Sequence, residues 1–184
     1  DKLTNKPYLS STTNEISPFL KKKNLIMTLQ EIDKNLYSNN KGIINLINMK
    51  IAIGNDHAGV EIKEKIKDHL TKKGHTVINK GYDGKESVDY PDYIHPVSKE
   101  VKEGHADIGV IVCGSGNGAA MTANKHKGIR AAICWSEEIA ALAKQHNNAN
   151  IISIPSRFLS SDKILNIVDV FIKEEFEGGR HERR

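Results

Sequence analysis

The sequence predicts an α/β protein built on a five-stranded parallel sheet. Five short apolar segments alternate with segments of helical hydrophobic spacing between residues 50 and 173, a pattern typical of consecutive βαβ units. The run at residues 108–112 contains no polar side chain, as expected of a strand that helices cover on both faces. Because such crossovers are right-handed, helices lie on both sides of the sheet. The predicted fold is therefore a Rossmann-like three-layer α/β/α sandwich.

Each element has its own local signal. The predicted strands are residues 50–54, 76–78, 108–112, 129–135 and 151–154. Helices are predicted from residue 60, from residue 91, over 119–125, from residue 137 and from residue 162. Gly74 suits the end of the first helix and Pro91 the first turn of the second. Ser136 suits an N-cap, since Glu137 and Glu138 follow it in the first turn.

The chain divides into two regions of different character. Residues 1–48 are rich in Asn, Lys, Ser and Thr and contain only one weak helical spacing, Leu25, Leu29, Ile32 and Leu36. We predict a flexible extension with one marginal amphipathic helix, and a partner-docking or targeting helix is the alternative. The chain begins with Asp1, and Met49 stands directly before the first strand as a candidate native start. Residues 49–184 are predicted to form the functional domain.

Composition narrows the function classes. The 184 residues carry a formal charge of +4, with much of the basic excess at the two ends, and form no basic face interleaved with aromatic residues. We therefore expect neither a nucleic-acid partner nor a membrane partner, since no apolar run approaches the roughly 20 residues that span a bilayer. Cys113 and Cys134 have neither disulfide-framework nor metal-ligand spacing, which favours a reducing cytoplasm and predicts no metal site.

The segment Cys113-Gly114-Ser115-Gly116-Asn117-Gly118 carries the strongest functional signal. It lies between the buried third strand and the next helix, where open α/β sheets bind ligands. Three alternating glycines let several backbone N–H groups face one concavity, which suits a phosphate or a transient oxyanion. The positive electrostatic potential of these N–H groups also favours the thiolate form of Cys113. The alternative is a tight turn beside a small buried cysteine.

Other polar residues flank the predicted strands. Asp56 and His57 follow the first strand, Arg157 follows the fifth, and His146 and Asn147 precede the fifth. We expect these side chains to converge with the glycine loop at one edge of the sheet. Taken singly, each has an ordinary structural explanation, such as a helix cap for Asp56, a turn for Asn147 or a solvated charge for Arg157.

Together the motifs resemble those of one enzyme family. They are Gly54-Asn55-Asp56-His57-Ala58-Gly59, Asp89-Tyr90-Pro91, Cys113 to Gly118, Ala123-Asn124-Lys125, Gly128-Ile129-Arg130-Ala131, Gln145-His146-Asn147, Ser156-Arg157 and Glu177-Gly178-Gly179-Arg180-His181. In this order they resemble the type B ribose-5-phosphate isomerases, which are grouped with the galactose-6-phosphate isomerase subunits. The resemblance runs from about Met49 to Arg184.

The resemblance implies a cofactor-free aldose–ketose isomerase that interconverts ribose 5-phosphate and ribulose 5-phosphate. For catalysis it implies Cys113 as the base, Ser115 as a proton relay and His146 as the group that opens the sugar ring. The backbone N–H groups of Gly114, Gly116, Asn117 and Gly118 would stabilise the enediolate. For substrate binding it implies that Asp56 and Asn147 hold hydroxyl groups and that the phosphate is bound by His57, Arg157, Arg180 and Arg184. Some members use a Glu directly after the loop as the base, but Ala119 stands there and the thiol is present. The resemblance also implies a homodimer or homotetramer with shared active sites.

Other families share parts of this pattern. Gly114, Gly116 and Ala119 fit a dinucleotide-binding fingerprint, but that motif belongs after the first strand and these residues follow the third. A cysteine phosphatase loop would end in an arginine where Ala119 stands. An isomerase of a six-carbon phosphosugar, allose 6-phosphate or galactose 6-phosphate, and a non-catalytic phosphosugar sensor stay open as alternatives.

Overall fold

A computed structural model describes residues 48–184 as five strands and five α-helices. The predicted extension over residues 1–48, with its marginal helix, lies outside the described residues except for Asn48. The strands are β1 (Lys50–Asn55), β2 (Thr76–Asn79), β3 (Ile108–Cys113), β4 (Ala131–Ile133) and β5 (Ile151–Pro155). They form one sheet in the order β2-β1-β3-β5-β4, and every pair is parallel. The predicted five-stranded parallel sheet is confirmed.

The helices form a layer on each face of the sheet. They are α1 (Val60–Lys72), α2 (Pro91–Lys102), α3 (Asn117–Ala123), α4 (Glu137–Gln145) and α5 (Ser161–Lys173). Buried residues of α1, α4 and α5 share one core with Ile51 and Ile53 of β1. Buried residues of α2 and α3 share the opposite core with Ala52. Because alternate residues of a strand face opposite sides, the two cores establish the three-layer sandwich.

The caps explain where the helices begin and end. Pro91 occupies the first turn of α2, where its missing N–H costs nothing. Ser136 Oγ accepts a hydrogen bond from Ile139 N–H at 3.3 Å, and Ser160 Oγ accepts one from Lys163 N–H at 3.4 Å. Gly74, just beyond α1, has a φ of +89°, the left-handed conformation that commonly ends a helix.

Two boundaries differ from the predicted ones. The predicted fourth strand over residues 129–135 is only Ala131–Ile133, because β4 is an edge strand that pairs on one side with β5. The helix predicted over residues 119–125 begins at Asn117, because Gly116 turns the chain with a φ of +77° and its carbonyl accepts the first helical bond from Ala120 N–H.

The connections leave β1 and β3 in opposite directions. The chain runs from β1 through α1 to β2 on one side, and from β3 through α3 to β4 on the other. A crevice therefore opens between the carboxyl ends of β1 and β3, the position at which doubly wound sheets bind ligands.

Gly54 allows α2 to pack closely on β1. A Cβ at this position would lie 2.6 Å from Tyr93 O and 2.6 Å from Val97 Cγ2, closer than atoms approach without displacement. We predict that Gly54→Ala lowers the free energy of unfolding by about 2–3 kcal/mol, since overpacking a core forces backbone shifts. Urea denaturation measures this change.

Gly104→Ala is the matched control. A Cβ there meets nothing within 4 Å, although φ is +74°, so only a conformational cost of about 1 kcal/mol is expected. Equal destabilisation by the two substitutions would contradict the close packing of α2 on β1.

Candidate active site

Cys113 ends the fully buried strand β3 and begins the glycine loop. Its side chain is only 5% exposed, and its Sγ accepts a hydrogen bond from Gly116 N–H at 3.1 Å. The sulfur therefore lies against the backbone N–H of the glycine loop. The predicted position of the thiol, at the carboxyl end of a buried strand, is confirmed by the strand boundary.

Neighbouring segments hold the glycine loop in place. Ser153 Oγ of β5 donates to Gly116 O at 2.7 Å, and this pair is buried. Ser115 and Asn117 are exposed beside the thiol, and Ser115 Oγ accepts from Asn117 N–H at 3.4 Å. Gly116 has a positive φ, and the loop folds back so that the backbone N–H of Gly116 points toward the sulfur.

Two side chains lie against the glycines of the loop. The backbone N–H of Arg157 donates to Gly114 O at 3.2 Å, and a Cβ on Gly114 would lie 3.3 Å from Cδ and Nε of the Arg157 side chain. On the other side, a Cβ on Gly118 would lie 2.6 Å from Tyr90 Cζ. The missing Cβ atoms therefore let a guanidinium group and a phenol ring border the loop.

Asp56 and His57 reach the same edge from β1. Asp56 is buried and accepts from Ala58 N–H at 2.9 Å through Oδ1, so the structural explanation of a helix cap holds for that oxygen. His57 Nδ1 accepts a hydrogen bond from Val88 N–H at 3.2 Å. With Nδ1 as the acceptor, the neutral ring carries its hydrogen on Nε2, which is then a donor.

His146 and Asn147 lie at the opposite edge of the sheet. Both follow α4 and precede β5, whose first residue Ile151 pairs with Gly109, the second residue of β3. Cys113 pairs with Pro155 at the other end, so about 13 Å of strand separates the two edges. The expectation that these residues converge with Cys113 at one edge of the same chain is therefore wrong. In a parallel sheet, residues before a strand and residues after it lie at opposite ends.

The C-terminal segment packs beside His146 at this amino edge. Glu177 N–H donates to Gln145 O at 3.0 Å, and Glu177 Oε2 lies 3.7 Å from His146 Nε2 and 3.9 Å from His181 Nε2. The two imidazole rings stack with centroids 4.2 Å apart. Burial, followed by the nearby His146 and arginine charges, lowers the pKa of His181. Because Arg180 and Arg184 are part of this segment, they lie at the same edge of the sheet as His146.

The triad of His146, Glu177 and His181 has ligand atoms within 4.8 Å of one another. Its geometry nevertheless suits an ionic cluster better than a metal cage. The rings are only 5° from parallel, so their lone pairs do not converge on one point between them. Arg180 Nε also donates to His181 Nε2 at 3.3 Å, which occupies the atom that a metal would need.

The second thiol is chemically distinct from Cys113. Cys134 is fully buried, and burial raises the pKa of its thiol to about 12. It packs in the core shared with α4 and α5, so it is a structural cysteine.

Sequence reasoning missed several residues that shape this site. Asn55 is fully buried and donates through Nδ2 to Asp56 O at 2.8 Å and to Tyr82 O at 2.9 Å. Ser153 is a polar residue in an otherwise apolar strand, and that interruption was a usable signal. Tyr90 belongs to the motif Asp89-Tyr90-Pro91, but its approach to Gly118 depends on the tertiary fold and has no local signal.

Comparisons with known proteins identify the family of this chain. The sequence model of the family described as Ribose/Galactose Isomerase matches residues 51–184. Ribose-5-phosphate isomerase B of Escherichia coli (strain K12) is 41% identical over 135 residues, which cover 73% of this chain and 91% of that protein.

Solved structures give the same result. Ribose-5-phosphate isomerase B of Clostridium thermocellum is 47% identical with a TM-score of 0.73, covering 74% of this chain and 92% of its own. The Mycoplasma genitalium enzyme with bound ribulose-5-phosphate is 44% identical with a TM-score of 0.71, covering 73% and 90%. The family match spans the sheet, the glycine loop and the C-terminal segment, and the chain belongs to the ribose/galactose isomerase family.

Proposed function

We propose that this protein interconverts D-ribose 5-phosphate and D-ribulose 5-phosphate through an enediolate, with Cys113 as the base and without a cofactor. The observation that carries the proposal is the Gly116 N–H hydrogen bond to Cys113 Sγ inside a glycine loop at the carboxyl edge. Proton abstraction beside a carbonyl needs a base and a preorganised oxyanion site, and this loop supplies both. Membership of the family and the 41% identity to a ribose-5-phosphate isomerase B support the substrate.

The chemistry follows from the residues. His146 opens the sugar ring by moving a proton between the ring oxygen and the C1 hydroxyl. The Cys113 thiolate then takes the proton from C2 of the open aldose, and the electron pair moves to give an enediolate. Backbone N–H groups from Gly114 to Gly118 stabilise its negative oxygen, and Ser115 passes the hydroxyl proton from O2 to O1. Cys113 returns its proton to C1, which completes the ketose and restores the thiolate.

The remaining predicted residues would bind the substrate. Arg157, which packs against Gly114, and His57, whose Nε2–H is a donor, lie at the carboxyl edge to receive the phosphate. Arg180 and Arg184 add guanidinium groups, which suit a dianionic phosphate. Asp56 and Asn147 would hold hydroxyl groups.

The separation of the two edges supports an oligomer. Within one chain, Cys113 and Arg157 lie at the carboxyl edge, whereas His146 and Asn147 lie at the amino edge. A two-fold axis would place the amino edge of one chain over the carboxyl edge of its partner and form two equal sites. We infer a homodimer, or a homotetramer made of such dimers, whose sites draw residues from two chains.

A surface suited to this contact lies along α3 and the edge strand β4. Met121 is 65% exposed and Trp135 is 53% exposed. Met121 lines a groove with Asn117, Ala120, Asn124, Lys125, Ala131 and Ile133. Asn117 belongs to the glycine loop, so a second copy seated in this groove would stand beside the thiol. Large exposed apolar side chains of this kind mark interaction surfaces.

Residues 49–184 are proposed as the catalytic domain, in agreement with the family match over residues 51–184. Two free cysteines, one of them needed as a thiolate, suit a reducing compartment, and we place the enzyme in the cytoplasm. Among the described residues 48–184, the helices are all too short or too polar to cross a membrane.

We predict that the purified protein converts ribose 5-phosphate to ribulose 5-phosphate in the presence of chelator. Cys113→Ala should lower kcat by about 10³-fold or more, because general base catalysis is lost. A coupled spectrophotometric assay of ribulose 5-phosphate measures both. Cys134→Ala is the matched control and should retain kcat, since that thiol only fills the core.

The same assay separates the rival functions. Faster turnover of allose 6-phosphate or galactose 6-phosphate would identify a six-carbon isomerase. Binding of ribose 5-phosphate without any turnover would indicate a phosphosugar sensor. Full activity of Cys113→Ala would remove the thiol from the mechanism.

We also predict that Met121→Glu separates the chains. The substitution buries a carboxylate in the proposed contact, so the mass in solution should fall from a multiple of 20.4 kDa to 20.4 kDa. The kcat/KM should then fall about 100-fold or more, because His146 of the second chain is removed from the site. Light scattering and steady-state kinetics measure these changes. The control Thr71→Glu adds the same charge at an exposed position of α1. An active monomeric Met121→Glu variant would refute the shared site.

A further inference from the structure

The loop that joins β2 to α2 crosses the carboxyl edge beside the proposed site. We call residues 81–89 the strap. At one end Tyr82 N–H donates to Asn55 O at 3.2 Å. At the other end Val88 N–H donates to His57 Nδ1 at 3.2 Å, and Tyr90 follows against Gly118. The strap therefore binds Asn55 at the end of β1 and His57 just beyond it, and it leads directly into Tyr90 beside the glycine loop.

Lys63 of α1 holds the first end of the strap. Its side chain is fully buried, and its Nζ donates to Tyr82 O at 3.1 Å and to the Asp83 carboxylate. Glu64 Oε1 lies 3.3 Å from the same ammonium group. The hydrogen bond from Lys63 is the main cause that lowers the pKa of Asp83, with a second contribution from Asn79.

A buried lysine side chain lowers the stability of the fold unless its ammonium group is fully paired. Removing an ammonium group from water costs several kcal/mol, which its partners must offset. Here the partners are one strap carbonyl, one strap carboxylate and one carboxylate of α1 itself. Only the ammonium end of this pair is buried, since the Asp83 side chain is 68% exposed. The ammonium group is therefore satisfied only where the strap brings its carbonyl and its carboxylate to Lys63. The pairing thus restricts where the strap can lie.

Two hydrogen bonds connect the position of the strap to the proposed site. Tyr82 O accepts from both Lys63 Nζ and Asn55 Nδ2, so the strap and the end of β1 share one acceptor. Farther along, Val88 N–H is the donor that keeps His57 Nδ1 an acceptor. Displacement of the strap would free Nδ1 to take the hydrogen, and Nε2 would no longer be a donor.

We propose that Lys63 is a positioning residue for His57. By fixing the strap, it keeps the His57 hydrogen on Nε2, from which the ring can donate to the phosphate of the substrate. The inference rests on the proposed function, because that function assigns His57 to the phosphate. Neither the Cys113–Gly116 bond nor the Ser153–Gly116 bond involves the strap, so Lys63 acts on binding rather than on proton transfer.

Two substitutions test the role of Lys63. Lys63→Met keeps the length of the side chain and removes the charge, and Asp83→Asn removes the partner charge at a side chain that is 68% exposed. The second variant should retain its fold even if the first does not, because the substituted side chain is exposed. Lys65→Met is the matched control, since Lys65 lies on the exposed side of the same helix and binds Ser161.

We expect both variants to raise KM for ribose 5-phosphate and the inhibition constant of inorganic phosphate about tenfold, the cost of one hydrogen bond to a charged group. The kcat should change by less than about threefold, because a uniform binding interaction is lost. Lys65→Met should behave as the parent protein. A merely structural role would lower the amount of active enzyme and leave KM unchanged.

The tautomer of His57 supplies a readout that is independent of activity. Long-range ¹H–¹⁵N spectra should show the Nε2–H form in the parent and a mixture of tautomers in Lys63→Met and Asp83→Asn. An unchanged tautomer in both variants overturns the inference. A changed tautomer with an unchanged KM also overturns the inference, because it shows that His57 does not bind the phosphate. The two outcomes therefore distinguish a failure of the proposed role of His57 from a failure of the proposed role of the strap.

Discussion

All strands of the sheet run in the same direction, and this constraint determines where each functional side chain can lie. Whatever follows a strand lies at the carboxyl edge, and whatever precedes a strand lies at the amino edge. Cys113 ends a strand and Asp56, His57 and Arg157 follow strands. His146 and Asn147, in contrast, precede one. The two groups are therefore held apart by the length of β3 and β5, which pair from Gly109–Ile151 to Cys113–Pro155. A single chain holds two incomplete halves of the proposed site.

The carboxyl half is rigid because each of its parts is bonded to a neighbour. Ser153 of β5 binds Gly116 O, and Ser156 N–H donates to Cys113 O at 3.0 Å. Asn55 and Lys63 hold the strap, and the strap in turn binds His57. Electrostatic stabilisation of an enediolate requires donors that are already in place when charge develops. The amino half is held by a looser ionic cluster around Glu177, whose side chain is 53% exposed.

The sequence predicted the fold and the position of the glycine loop at the carboxyl edge because their signals are local. An unbroken apolar run followed by alternating glycines specifies a buried strand and an anion-binding loop. The placement of His146 was wrong, although the order of elements contained the answer. Lys63 could not be identified, since its partner Asp83 lies 20 residues away in an irregular loop. The length of β4 depended on its position at the edge of the sheet, which tertiary pairing decides.

If two chains complete one site, subunit complementation should restore activity to a pair of inactive variants. Cys113→Ala and His146→Gln should each be nearly inactive alone. Co-expressed chains that assort at random should regain about a quarter of the parent activity, because half of the dimers are mixed and each mixed dimer contains one intact site. Mixed assemblies with no regained activity would contradict the account and place Cys113 and His146 in the same chain's site.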